Sequence, residues 1–139
     1  MLDLMRSLLV PLVVVALAGC GSSNDAGTPT RHSITNSQAE QIPTNTQIAI
    51  GPFSVPASAQ VAYVLVDTPI GVGYDTMDVA VVTDASANTG TPVGYGIQQN
   101  VSSTSGATPP LPAGTYDLLV QCFNLADDCA FQATIEATY

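Results

Sequence analysis

From residue 47 onward the chain alternates short apolar segments with clusters of turn-forming residues. The segments span 47–50, 61–66, 77–83, 93–98, 115–123 and 129–138. Between them fall Gly51-Pro52, Thr68-Pro69, Gly71-Val72-Gly73, Asn88-Thr89-Gly90, Pro109-Pro110 and Pro112-Ala113-Gly114. Short β-branched runs punctuated this regularly predict an all-β fold, a small antiparallel β-sandwich of immunoglobulin-like or similar form. The last two segments carry the clearest period of two. Tyr116, Leu118, Val120 and Cys122 share one face, opposite Asp117, Leu119 and Gln121. Cys129, Phe131, Ala133, Ile135 and Ala137 alternate in the same way with Ala130, Gln132, Thr134, Glu136 and Thr138. Such alternation predicts one buried and one wet face per strand, with residues 123–128 as a hairpin loop between the two.

The first half of the chain has a different pattern. Residues 8–18 are apolar apart from Pro11. Eleven residues are too few to span a bilayer as a helix, but they suit the hydrophobic stretch of an export signal. Residues 20–46 are rich in Ser, Thr, Asn, Gln, Gly and Pro, with scattered Ala26, Ile34, Ala39 and Ile42 and no sustained period. This stretch predicts a flexible tether, because it buries too little surface to offset the entropy of ordering it. A rival reading starts a first strand at Ile34 or Ile42. The expected organisation is therefore a signal over 1–19, a linker over 20–46 and one β-domain over 47–139.

The apolar run ends in Leu17-Ala18-Gly19-Cys20. These residues resemble the lipobox of bacterial lipoproteins: a branched apolar residue, two small ones, then a cysteine. The resemblance implies cleavage before Cys20, acylation of its thiol, and attachment to a membrane through at least two acyl chains, enough for stable anchoring. Gly21 is not the aspartate that marks inner-membrane retention in that family, which implies the outer membrane, with the face left open. The segment before the run is barely positive, with Asp3 and Arg6; a start at Met5 would give a conventional signal.

Charge narrows the partners. The chain carries 11 Asp and Glu against 2 Lys and Arg. Arg6 lies in the signal, so the mature chain keeps Arg31 as its one basic side chain and has no lysine. Such a surface repels nucleic acid and anionic headgroups, leaving a protein or glycan of the envelope as the expected partner. His32, the single histidine, falls in the expected tether, away from the domain. With Cys20 acylated, Cys122 and Cys129 remain as a pair flanking one loop. In an oxidising compartment they are expected to form a disulfide, the alternative being a redox or metal pair.

Two further stretches resemble a family of exported bacterial β-domains of unknown function. Ala62-Tyr63-Val64-Leu65-Val66-Asp67-Thr68-Pro69, followed by Met77-Asp78-Val79-Ala80-Val81, matches its first strand pair, without the family's His-Ala. Leu111-Pro112-Ala113-Gly114-Thr115-Tyr116 matches its Leu-Pro-Ala-Gly-Thr-Tyr turn. The resemblance implies a sandwich and no activity.

Candidate chemistry is sparse. Asp67, Asp75, Asp78 and Asp84, with Asp127 and Asp128 in the loop, offer the oxygen ligands calcium takes; Asp67, Asp75, Asp78, Asp127 and Asp128 are the candidate set. Aspartate is equally a turn residue. Tyr74 and Tyr95 flank Gly-rich loops as candidate contact residues. No phosphate loop or nucleophile elbow appears in the sequence. The expectation is a non-catalytic, lipid-anchored module with a structural, adhesive or assembly role and no cofactor. A ligand- or calcium-binding accessory lipoprotein is the alternative, and a small hydrolase the remote one.

Overall fold

The computed structural model describes residues 27–87 and 94–139. The expected signal, Cys20 and Val93 lie outside them. Among the described residues the strands are β1 (Arg31–Ile42), β2 (Gln47–Val55), β3 (Gln60–Asp67), β4 (Met77–Thr83), β5 (Gly94–Val101), β6 (Thr104–Ala107), β7 (Gly114–Cys122) and β8 (Cys129–Thr138). A single helical turn, α1 (Asp84–Ala87), follows β4.

The strands form two antiparallel sheets, ordered β1-β8-β3-β6 and β2-β7-β4-β5. Successive strands change sheet at every step except β4 to β5. This is the strand order of an eight-stranded jelly roll. The sandwich expected from the sequence is present, but its connectivity is not immunoglobulin-like.

Alternation builds the core. Val61, Tyr63 and Leu65 of β3, Val79 and Val81 of β4, Leu118 and Val120 of β7, and Phe131 and Ile135 of β8 are all buried between the sheets. Leu111 and Met77 fill the two ends of this layer. On the outer side of β3, Val64 and Val66 are exposed.

Four expectations need correction. First, residues 31–42 are not tether. They pair along β8 from Arg31↔Thr138 to Ile42↔Cys129, with bulges between Ser33 and Gln38. Backbone pairing holds this polar edge strand; Ile42 is buried in the core and Ile34 packs partly buried against it. The folded body thus starts at about Thr30, whose amide and carbonyl both bond Tyr139. His32 belongs to the folded body too, with its ring stacked 4.1 Å from that of Tyr139.

Second, Gly51-Pro52 does not end a strand. It forms a bulge within β2, between Ile50 and Phe53, with a cis peptide bond. Because β2 is an edge strand, the missing amide of Pro52 costs no ladder bond. Third, residues 123–128 are not a hairpin loop. β7 pairs with β2 and β4, and β8 with β1 and β3, so the loop crosses from one sheet to the other. The Cys122–Cys129 disulfide, Cα–Cα 5.8 Å, therefore ties the two sheets together.

Fourth, the outer face of β7 is not wet throughout. Leu119 packs there with Val82 and Ala87 in a small second cluster, and Asp117 is 3% exposed.

The side of the sandwich between β5 and β6 is closed by one side chain. Tyr63 reaches past Gly106 of β6 and donates its hydroxyl to the Gly96 carbonyl of β5. Burial pushes its phenol up to about 12. A Cβ on Gly106 would overlap the Tyr63 ring, with Cε1 only 2.9 Å away. Gly106→Ala is expected to destabilise the protein by about 2–3 kcal/mol, through displaced packing and a lost hydrogen bond. A shift of the urea midpoint checks this, and Tyr63→Phe should cost less.

Candidate functional site

Strand register gives the sandwich two ends. Arg31, Gln60 and Thr138 align at the proximal end, where the chain enters, and Ile42, Asp67 and Cys129 align at the distal end. The strands between are long: the ten residues of β8 span about 33 Å. The distal end is built from four sheet-crossing segments, residues 43–46, 68–76, 102–103 and 123–128, of which the second and fourth carry the site.

A buried carboxylate locks these segments to one another. Asp75, 5% exposed, accepts the Ala130 amide at 2.7 Å through Oδ2 and the Asn124 side-chain amide at 2.7 Å through Oδ1. Asn124 in turn accepts the Thr76 amide at 2.8 Å, and the Phe123 amide donates to the Thr76 carbonyl at 2.8 Å. Thr44 donates its hydroxyl to the Asn124 carbonyl and its amide to Asp128 Oδ1 at 3.3 Å. Charge-assisted bonds of this kind are the strong ones, and a buried loop must satisfy its amides.

The candidate calcium ligands are placed unevenly. Asp67 and Asp75 come together, the Asp75 amide donating to Asp67 Oδ2 at 3.2 Å. Asp78 sits on the outer side of β4, where it accepts the Asn100 amide at 2.8 Å. Asp128 binds Thr44 and Gln41, and Asp127 lies against Gly71, its Oδ2 2.6 Å from where a Cβ would stand. Among the described residues, no three His, Cys, Asp or Glu side chains come together as metal ligands. The aspartates here mostly accept peptide amides.

Two buried carboxyl oxygens have no hydrogen-bond partner among the described residues: Asp67 Oδ1 and Asp117 Oδ2. Burial raises the Asp67 carboxyl above its ordinary value, and the nearby Asp75 charge adds to this, against the opposing Asp75 amide bond. Burial also raises Asp117, helped by the charge of Asp84 and a hydrogen bond with it. Asp117 was legible as a strand residue facing out. The cover over it was not, because a four-residue helical turn has no periodic signature.

The distal end also holds a cleft. Residues 71–76 and 123–127 line a volume of 320 Å³ between them. Val72 and Leu125 stand fully exposed on its two sides, with Tyr74 at 83%. Tyr74 was identified from the sequence; Val72 and Leu125 were not. Their signal was an apolar residue between glycines and another inside an Asn/Asp-rich loop. Tyr95, the other tyrosine singled out, is a half-buried edge-to-face partner of Tyr116, at 6.3 Å between ring centroids. Tyr116 donates to the Pro112 carbonyl at 2.9 Å, which closes the Pro-Ala-Gly turn on itself.

No protein-family model and no curated protein matches the chain. Solved structures similar to it include the following two. One is a chain of the Bacillus endospore appendages, which form a family of disulfide-linked pili: 17% identity, 81% of this chain and 90% of that chain covered, TM-score 0.49. The other belongs to the acid-stable capsid of the Helicobacter pylori bacteriophage KHP30: 12% identity, 78% and 92% covered, TM-score 0.40. Among the described residues no helix is long and apolar enough to cross a membrane.

Asp75→Ala removes the acceptor for two donors and is expected to cost about 2–4 kcal/mol, read from chemical denaturation. Asn at this position should recover part of that loss, by keeping one acceptor. The pH dependence follows from Asp117 and Asp67. Their folded-state carboxyls titrate above the unfolded ones, so the folded protein binds more protons. Stability is therefore full below the ordinary carboxylate range and declines as pH rises through the raised values. The melting temperature should be higher near pH 4 than at pH 7, and Asp117→Asn should flatten part of that decline.

Proposed function

We propose that this chain is a lipid-anchored, non-catalytic module of the bacterial cell envelope, with a structural, adhesive or assembly role. The observation that supports the reading is the joining of a sequence that resembles a lipobox to a compact jelly roll. Ten residues separate Cys20 from Arg31, and Arg31 opens the strand at the proximal end. An acyl group on Cys20 would seat the proximal end toward the membrane and aim the distal end away from it. Ten residues reach at most about 35 Å, so the domain would ride close above the lipid. Gly21 favours the outer membrane.

The geometry supports binding more than catalysis. The side chains with the best-defined chemistry, Asp75 and Asn124, spend their polar atoms on backbone amides and on each other. His32, freed from the tether, stacks on Tyr139 at the proximal end, far along the sandwich from the distal cleft. The cleft itself favours an accessory role in which the module captures a partner.

Growth with a labelled fatty acid tests the anchor. The wild-type chain should take up label and sediment with membranes. Cys20→Ala should take up none and leave the membrane fraction. Wild-type protein without label, or a labelled Cys20→Ala chain, would sink the proposal.

A further inference from the structure

Apolar side chains gather at the distal end in a way the core does not require. Val72 is 105% exposed, Leu125 99% and Tyr74 83%, and Phe123 lies beside them at 38%. Single exposed apolar residues are ordinary on a protein surface; several grouped about one cleft mark an interaction site. The loops that carry them are held fast. Asp75 and Asn124 bind the two loops to each other, the Cys122–Cys129 disulfide closes one of them, and the Thr68 amide bonds the Ala130 carbonyl at 2.8 Å at the base of the other. A contact surface already ordered loses less entropy on binding.

Charge selects the partner. Glu40, Asp67, Asp78, Asp127 and Asp128 fall in the distal half of the sandwich, together with the buried Asp75, whose oxygens are already bonded within the loops. Asp127 lines the cleft and is exposed. Arg31, the one basic side chain outside the signal, lies at the opposite end, 3.3 Å from Glu136. An acidic rim around an apolar tip repels anionic lipid and a second copy of the same end, and it attracts positive charge.

We infer that the distal cleft is a docking site for a cationic, apolar-bearing segment of a partner polypeptide. Its lysines or arginines face the acidic rim led by Asp127. Its aliphatic or aromatic side chains pack between Val72, Tyr74 and Leu125. The inference rests on reading the domain as a binding module, and it names the chemistry of the partner.

The test uses the mature chain carrying Cys20→Ser, exported so that its disulfide forms. A fluorescent peptide of alternating Lys and Leu is the probe, its binding followed by anisotropy at two salt concentrations. A Glu/Leu counterpart is the control. The Lys/Leu peptide should bind saturably and the Glu/Leu peptide should not. The double variant Val72→Ser/Leu125→Ser should weaken binding about ten-fold or more. Asp127→Asn should weaken it a few-fold and reduce its salt dependence, since it removes one rim charge. These positions are exposed, so an unchanged melting temperature certifies each variant as folded. Equal binding by wild type and the double variant would reduce the effect to diffuse charge and overturn the site. Equal binding of both peptides would overturn the charge selection, and no binding of either would overturn the inference as a whole. A failed lipid-labelling result bears on the anchor alone.

Discussion

The carboxylate of Asp75 is the contact on which the rest of this structure leans. A jelly roll sends nearly every connection from one sheet to the other, so neighbours within a sheet are distant in sequence. Such a fold has few local hairpins to hold its register, and its crossings need ties of their own. Asp75 sits where the β3–β4 crossing meets the β7–β8 crossing and accepts a donor from each side of the latter. The disulfide constrains the same crossing covalently, closing a loop whose entropy is worth about 2–3 kcal/mol in the chain-entropy model. The two devices act on different states. The carboxylate bonds the folded loop, and the cross-link restricts the unfolded chain.

At the other end and along the sides, closure is handled without charge. Tyr63 reaches from β3 past the β6 edge to β5 of the other sheet and bonds a carbonyl, and the absence of a side chain at Gly106 makes room for it. Tyr116 closes its own turn onto Pro112. The β2 edge is blunted by the Gly51-Pro52 bulge, where a Cβ on Gly51 would collide with Asp117. Proline and bulges on an exposed edge discourage pairing with another chain, which matters for a protein that is nearly half apolar residues by count, at 46%.

Strands with clean alternation were legible in the sequence to within a residue or two. The segment 77–83 is β4, and 129–138 is β8. β1 was read as tether, with a strand at Ile34 or Ile42 as the rival, because its polar sequence shows no sustained period; its order comes from the β8 ladder, which leaves no mark on its own composition. β6 was missed for a similar reason, being four small residues paired with β3. The cysteine pair was readable, but its meaning was not. Two cysteines around a short loop look the same whether the loop turns within one sheet or crosses to another, and only the pairing of β7 and β8 with other strands decides it. The acidic positions were readable as loop chemistry. Which of them would be buried could not be read, because burial of Asp75 and Asp117 depends on segments far away in sequence.

The loss of residues 31–42 from the linker changes the arithmetic of encounter. If Cys20 carried a lipid, as proposed, ten residues of reach and a body of about 33 Å would put the distal loops no more than about 70 Å above the bilayer. A partner fixed in the same membrane would share that thin layer, where tethering raises local concentration to the order of millimolar. Under those conditions a contact with a dissociation constant of roughly 100 μM would already be occupied most of the time, and would still release quickly. A module so placed gains little from a large interface. A small apolar tip with a charged rim is the size of surface that such crowding calls for.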